Sequence, residues 1–282
     1  MNQVIHGRAA QSWQWRLFTA VKYVTYALLS LNIFLFLQEE LISASYSATG
    51  ELSFGAFIQL FSTTLDTAAW VFLLLLFELE TAIIPDKHLV GFTKRSIHGV
   101  RLLAGAAICF AFFGYMEEWL ALQSYEPLLV DACSKVGAGW SVLQDFDDFV
   151  ALTVDNCANL DAPVLVLTEL DRVVAGQSSF LSANYLALID TINAGAWILV
   201  VVVLEIEVRM QLRGGVPVAL QPVMNASKFG IYATLAAAAI YWWFEGDFLD
   251  FWDAALWLFA FVFIEMNVFE WQQEIEAQDA EA

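Results

Sequence analysis

Long apolar runs separated by short charged patches dominate this chain. Residues 17–37 are almost wholly apolar and end in Gln38-Glu39-Glu40. Similar runs follow at about 55–80, 97–120, 185–207, 227–244 and 248–270. Several approach the ~20 apolar residues that cross a hydrocarbon core of about 30 Å. The pattern predicts six membrane-crossing helices, the first starting at about residue 17 and ending near 38. The first run exceeds the usual h-region of a cleaved signal, roughly 7–15 residues, so it is expected to remain as a span. A transmembrane barrel would alternate apolar and polar residues over ~10-residue segments, and none does so.

One stretch recurs three times. Residues 65–80 read LDTAAWVFLLLLFELE, 193–207 read NAGAWILVVVVLEIE, and 253–267 read DAALWLFAFVFIEMN. Aligned on Trp70, Trp197 and Trp257, each copy has Asp66, Asn193 or Asp253 four residues earlier. Glu78, Glu205 and Glu265 stand eight residues later, and Glu80, Glu207 and Asn267 ten later. At 100° per residue the early polar slot and the last one lie about 40° apart in azimuth and ~21 Å apart along the axis. Each pair therefore marks two levels of one polar stripe.

The odd spans repeat too. Lys22 to Glu39, Arg101 to Glu118 and Lys228 to Glu245 each cover 17 residues. Two readings share this spacing. The chain could be three divergent helical hairpins. Alternatively, 17 residues at 1.5 Å rise is about the hydrocarbon thickness, so any span with charged flanks would show it.

Composition sharpens the class. Hydrophobic residues make up 60% of the chain, against roughly 45–50% in soluble domains. The net charge of −19 argues against nucleic acid and against a basic lipid-binding patch. Ten of the twelve Lys and Arg flank one side of the spans; only Lys135 and Arg172 fall on the other. The positive-inside rule then puts both termini in the cytoplasm. The layout expected is a cytoplasmic tail (1–16), three spans (17–121), a periplasmic or extracellular insertion (122–184), three more spans (185–271) and an acidic cytoplasmic tail (272–282). Cys133 and Cys157 both fall in the insertion, where oxidation is permitted, and are expected to be bridged. Cys109 lies within the third span and reads as packing.

The carboxylates carry the candidate chemistry. Asp66, Asp190, Asp253 and Glu265 are the deepest acids, and no Lys or Arg lies deep enough to pair with them. Unpaired intramembrane acids must be protonated, hydrated, hydrogen-bonded or holding a cation. Shallower span starts would instead leave Asp66 and Asp190 near the headgroups. The ion-pathway candidates are therefore Asp66, Glu80, Asn193, Glu207, Asp253, Glu265 and Asn267, since rings of acids build many cation pathways. Glu205 stands four residues before Arg209, which suits a solvated ion pair. Trp119, Trp242, Trp243, Trp271 and Tyr23 read as interface anchors. Asp145-x-Asp147-Asp148 could collect calcium but lacks an EF-hand pattern, so a solvated acidic cap is the simpler reading.

Several functions are excluded. His6, His88 and His98 all lie toward the cytoplasmic side and none at mid-membrane, which argues against bis-histidine haem; no other cofactor is indicated. No HExxH, Walker A, GxSxG or Rossmann motif occurs, so no enzyme chemistry is indicated. No arginine ladder or buried Schiff-base lysine is present. The expected fold class is all-α: a six-span membrane protein with both ends inside, multi-pass in the plasma membrane, of the bacterial inner-membrane type. The expected function is a cation channel, transporter or proton pathway. The alternative is a non-catalytic structural or assembly subunit, partnered by lipid, other membrane subunits or itself. Reporter fusions after Ser124 or Ala175 should read periplasmic, and fusions after Arg95 or Arg213 cytoplasmic. The reverse pattern would overturn the orientation.

Overall fold

The computed structural model describes residues 13–47, 54–80, 91–144, 148–211 and 217–261. It is mostly helical: α1 (Trp13–Ser47), α2 (Phe54–Leu60), α3 (Ser62–Glu78), α4 (Phe92–Ala121), α5 (Gln177–Gln211) and α6 (Gln221–Glu245). A further helix, α7, covers 248–261. Four helices are long and apolar enough to cross a membrane: Arg16–Tyr46, Arg95–Ala121, Gln177–Glu207 and Gln221–Glu245. Large apolar side chains point outward from them, such as Phe34, Leu102, Leu103 and Phe244. Exposed apolar surface of this extent marks contact with lipid or protein. Cys109 belongs to this exposed face of α4, so the expectation that it packs inside the chain is corrected.

The second expected span is not one helix. It breaks at Phe61 (φ −129°, ψ 30°), which separates α2 from α3. No proline or glycine causes the break; side chains around it satisfy the freed groups. Glu40 of α1, itself buried, accepts from the backbone N–H groups of Thr63 and Thr64 at 2.8 and 3.2 Å. A carboxylate placed there answers both the orphan N–H groups and the positive end of the α3 dipole. Ser62 Oγ lies 2.8 Å from Glu118 Oε1 on α4. Gly114 lets α4 approach this closely, because a Cβ there would fall 2.9 Å from Ser62 Cβ.

The insertion departs most from the all-α expectation. It forms a five-stranded sheet of β1 (Tyr125–Pro127), β2 (Ser141–Leu143), β3 (Phe149–Ala151), β4 (Leu165–Leu167) and β5 (Val173–Ala175). The strand order is β1-β4-β5-β2-β3, antiparallel except for the β2–β5 pair. The central strands β2 and β5 are buried along their whole length. One face packs Leu143, Leu167 and Val173 on Leu122 at the end of α4 and on Phe180, Ala183 and Ala187 of α5. The other face packs Val142 and Val174 on Leu152 and Cys157. The Sγ atoms of Cys133 and Cys157 are at bonding distance, 1.95 Å, and close that layer. Burial of the sheet against helix ends, as in an α+β unit, holds strands too short to persist alone.

The sheet also explains why α5 begins at Gln177 rather than near 185. Asp161 caps it from the preceding loop, accepting from Ser178 N at 2.8 Å and Ser178 Oγ at 2.9 Å. Gly176 is required by that approach, since a Cβ would lie 2.3 Å from Asp161 Oδ1. The Ser178 hydrogen bonds hold the Asp161 carboxyl below its ordinary pKa. The cap therefore stabilises the fold above the unfolded carboxylate value, about 3.9, and is lost as pH falls through the lower folded value. Asp161→Ala or Gly176→Ala should abolish hydrogen-exchange protection in the first turn of α5 at neutral pH. Acidifying the native protein should reach the same state only below the ordinary carboxylate range. Unchanged protection in both variants would remove Asp161 as the cap.

Candidate functional site

The three aligned tryptophans meet. Trp70 of α3, Trp197 of α5 and Trp257 of α7 have ring centroids 6.0, 6.2 and 6.3 Å apart. Their planes cross at 55–66°, the tilted and edge-on geometries that aromatic quadrupoles prefer. Tyr26, Leu29, Val71, Leu74, Val200, Leu235 and Ala260 complete this apolar core.

Directly above the tryptophans, toward the sheet, is a cavity of about 40 Å³. Its lining follows the sequence alignment. Asp66, Asn193 and Asp253 form one level. Thr63, Asp190 and Asp250, each seven residues before its tryptophan, form the next. Offsets of −7, −4, −3 and 0 share one face of an α-helix, and Thr67 and Ala254 occupy the −3 slot. Helices α1, α4 and α6 contribute Phe36, Tyr115 and Trp242, each 14 residues after Lys22, Arg101 and Lys228 respectively. Among the described residues no Lys, Arg or His lines the cavity.

Some of the acids are held by neighbours. Asn32 of α1, fully buried, donates to Asp253 Oδ1 at 2.7 Å. Trp242 Nε1 donates to Asp190 Oδ1 at 3.0 Å. Asp247 caps α7, accepting from Asp250 N at 3.3 Å. Asp66 Oδ1 and Asn193 Oδ1 are buried without a hydrogen-bond partner among the described residues. Among the described residues no three His, Cys, Asp or Glu side chains group closely enough to hold a metal ion. A second cavity, about 70 Å³, lies between α1, α2, α4 and the sheet, lined by Glu40, Ser43, Gln59 and Glu118. Thr63 lines both cavities.

The later glutamates do something else. Glu78 pairs with Lys22 at 2.6 Å and accepts from Tyr23 Oη at 3.0 Å. Glu80 pairs with Arg101, and Glu207 with Lys228. Glu205 pairs with Arg209 at 2.6 Å, as its spacing suggests. At 1.5 Å per residue this belt lies ~12–15 Å beyond the tryptophans. Of the pathway candidates, Asp66, Asn193 and Asp253 are thus brought together, while Glu80 and Glu207 are neutralised elsewhere. Glu265, Asn267, Asp145 and Asp147 lie outside the described residues.

Sequence reasoning left Thr63, Asp250, Phe36 and Tyr115 out of the site. The available signal was the i, i+3 relation to the −4 slot, and the common offset from the odd-span bases. Trp242 is a correction: it is buried against Asp190 rather than anchored at an interface. Trp271 lies outside the described residues, and Trp243 is exposed.

No protein family, curated protein or solved structure matches this chain.

The ion pairs differ in what they hold. The Lys22–Glu78 side chains are only 10% and 5% exposed, whereas those of Arg209–Glu205 are 68% and 56% exposed. Breaking a buried pair strands a charge and costs about 3–5 kcal/mol; an exposed i,i+4 pair contributes about 0.3–0.5 kcal/mol. Lys22→Met should therefore destabilise the detergent-solubilised protein strongly, and Lys22→Met/Glu78→Leu should recover most of the loss. Arg209→Ala should leave unfolding almost unchanged. Equal effects of Lys22→Met and Arg209→Ala on the unfolding midpoint would refute this ranking.

Proposed function

We propose that this is a six-span membrane protein of three related hairpins, with both termini in the cytoplasm, that takes cations or protons into the aspartate cavity from the outer side. One observation carries the reading: a cavity among the helices presents four aspartates and no base. Burying acids this way is costly unless a positive species or water offsets it. Twelve of the 14 lining residues fall at offsets filled in all three repeats, and Thr67 and Ala254 share a fifth offset, which supports descent from one hairpin. The Cys133–Cys157 pair supports an oxidising outer side. Thr63, shared with the second cavity, offers a way in from beneath the sheet.

Passage inward requires the tryptophan contacts to part. The reading is therefore a carrier or a gated path rather than an open pore. A structural or assembly subunit is the second reading. It is favoured by that same closed floor and by the ion pairs at the far end.

Proteoliposomes separate the two. Asp66→Asn and Asp253→Asn preserve shape, and Asn193 already occupies the equivalent slot. Each variant should fold and lose most cation or proton flux. Unchanged flux in the double variant, or no flux from the native protein, would reject transport in favour of the structural reading.

A further inference from the structure

The walls of the aspartate cavity restrict what it can hold. A volume of about 40 Å³ accommodates roughly one to three water-sized bodies, since a water needs ~10–15 Å³ of such space. Bulky organic cations do not fit. Hard divalent ions want six or more oxygen ligands at short range, and no three of the described acids group that closely. Six aromatic side chains share the lining: the tryptophan trio, Phe36, Tyr115 and Trp242. Ring faces attract weakly hydrated cations, and Trp does so most strongly. Among the described residues, two oxygens at the level above the trio, Asp66 Oδ1 and Asn193 Oδ1, lack a donor, and one indole N–H of the trio, that of Trp70, lacks an acceptor.

We infer that the cavity is a binding site for a small ammonium ion, either ammonium itself or methylammonium. Ammonium is close to water in size, carries the charge the aspartates lack, and donates directed hydrogen bonds to oxygens and to ring faces. Sodium holds its water more tightly and gains less from ring faces, and potassium, close to ammonium in size, lacks the N–H donors that the two oxygens need. The inference deepens the transport reading and rests on it only for the direction of movement, because binding can be measured alone.

The test uses the full chain in detergent, with intrinsic tryptophan fluorescence as the readout, since four of the eleven tryptophans line the cavity. Ammonium, methylammonium, tetramethylammonium, sodium and potassium chlorides are titrated at constant ionic strength. Ammonium and methylammonium should give a saturable change; tetramethylammonium and sodium should not. Asp66→Asn and Asp253→Asn should each weaken binding about tenfold or more, the loss expected for one charged hydrogen bond. Trp257→Phe exchanges an indole of the cavity wall for a weaker ring partner and should loosen ammonium binding. An equal response to sodium or potassium, or no saturable response to ammonium, overturns the inference. Proteoliposomes loaded with a pH dye separate the two claims. Proton or alkali flux without ammonium binding leaves transport standing and removes the ligand. Ammonium binding without any flux keeps the ligand and removes transport. Loss of both defeats both.

Discussion

Three tryptophans in mutual contact fix where α3, α5 and α7 can lie. Indole is the largest side chain, and three of them fill the space that helices at this separation leave between them. Each edge-on or tilted pair adds roughly 0.5–1.5 kcal/mol beyond the area it buries. With the rings locked, the polar residues one and two turns earlier on the same helix faces must converge. The cavity is therefore a consequence of the aromatic contact: the helices cannot close on the aspartates without compressing the rings.

The far end of the bundle is arranged by opposite logic. There Glu78, Glu80, Glu205 and Glu207 each have a base within reach, drawn from α1, α4, α6 or the same helix. Paired charges give that end a neutral, salt-linked belt, whereas the cavity side has acids held only by neutral donors. At the sheet end of the bundle, Glu40 caps α3. The small sheet rests on the tips of α4 and α5, so the insertion is part of the same packed body.

The helices were legible because 20-residue apolar runs admit little else, and the tryptophan alignment located half of the cavity. Asp190 was readable as a deep acid, but Thr63 and Asp250 required the second same-face offset to be followed. The sheet was not legible. Its strands are three residues each, too short for alternation to register, and β2 and β5 are buried on both faces. The break at Phe61 was invisible for a related reason: it is made by Glu40 and Glu118, which arrive from elsewhere in the chain, and not by a local breaker.

The two polar levels of the cavity are unequal in an ordered way. On the upper level the carboxyl groups belong to α5 and α7, and α3 offers a hydroxyl at Thr63. On the lower level they belong to α3 and α7, and α5 offers an amide at Asn193. The neutral corner thus rotates from α3 to α5 on descending one turn, with α7 acidic throughout. Of the three helices, α7 alone supplies a carboxyl group at both levels, so the acidic groups of the cavity are weighted toward its α7 wall.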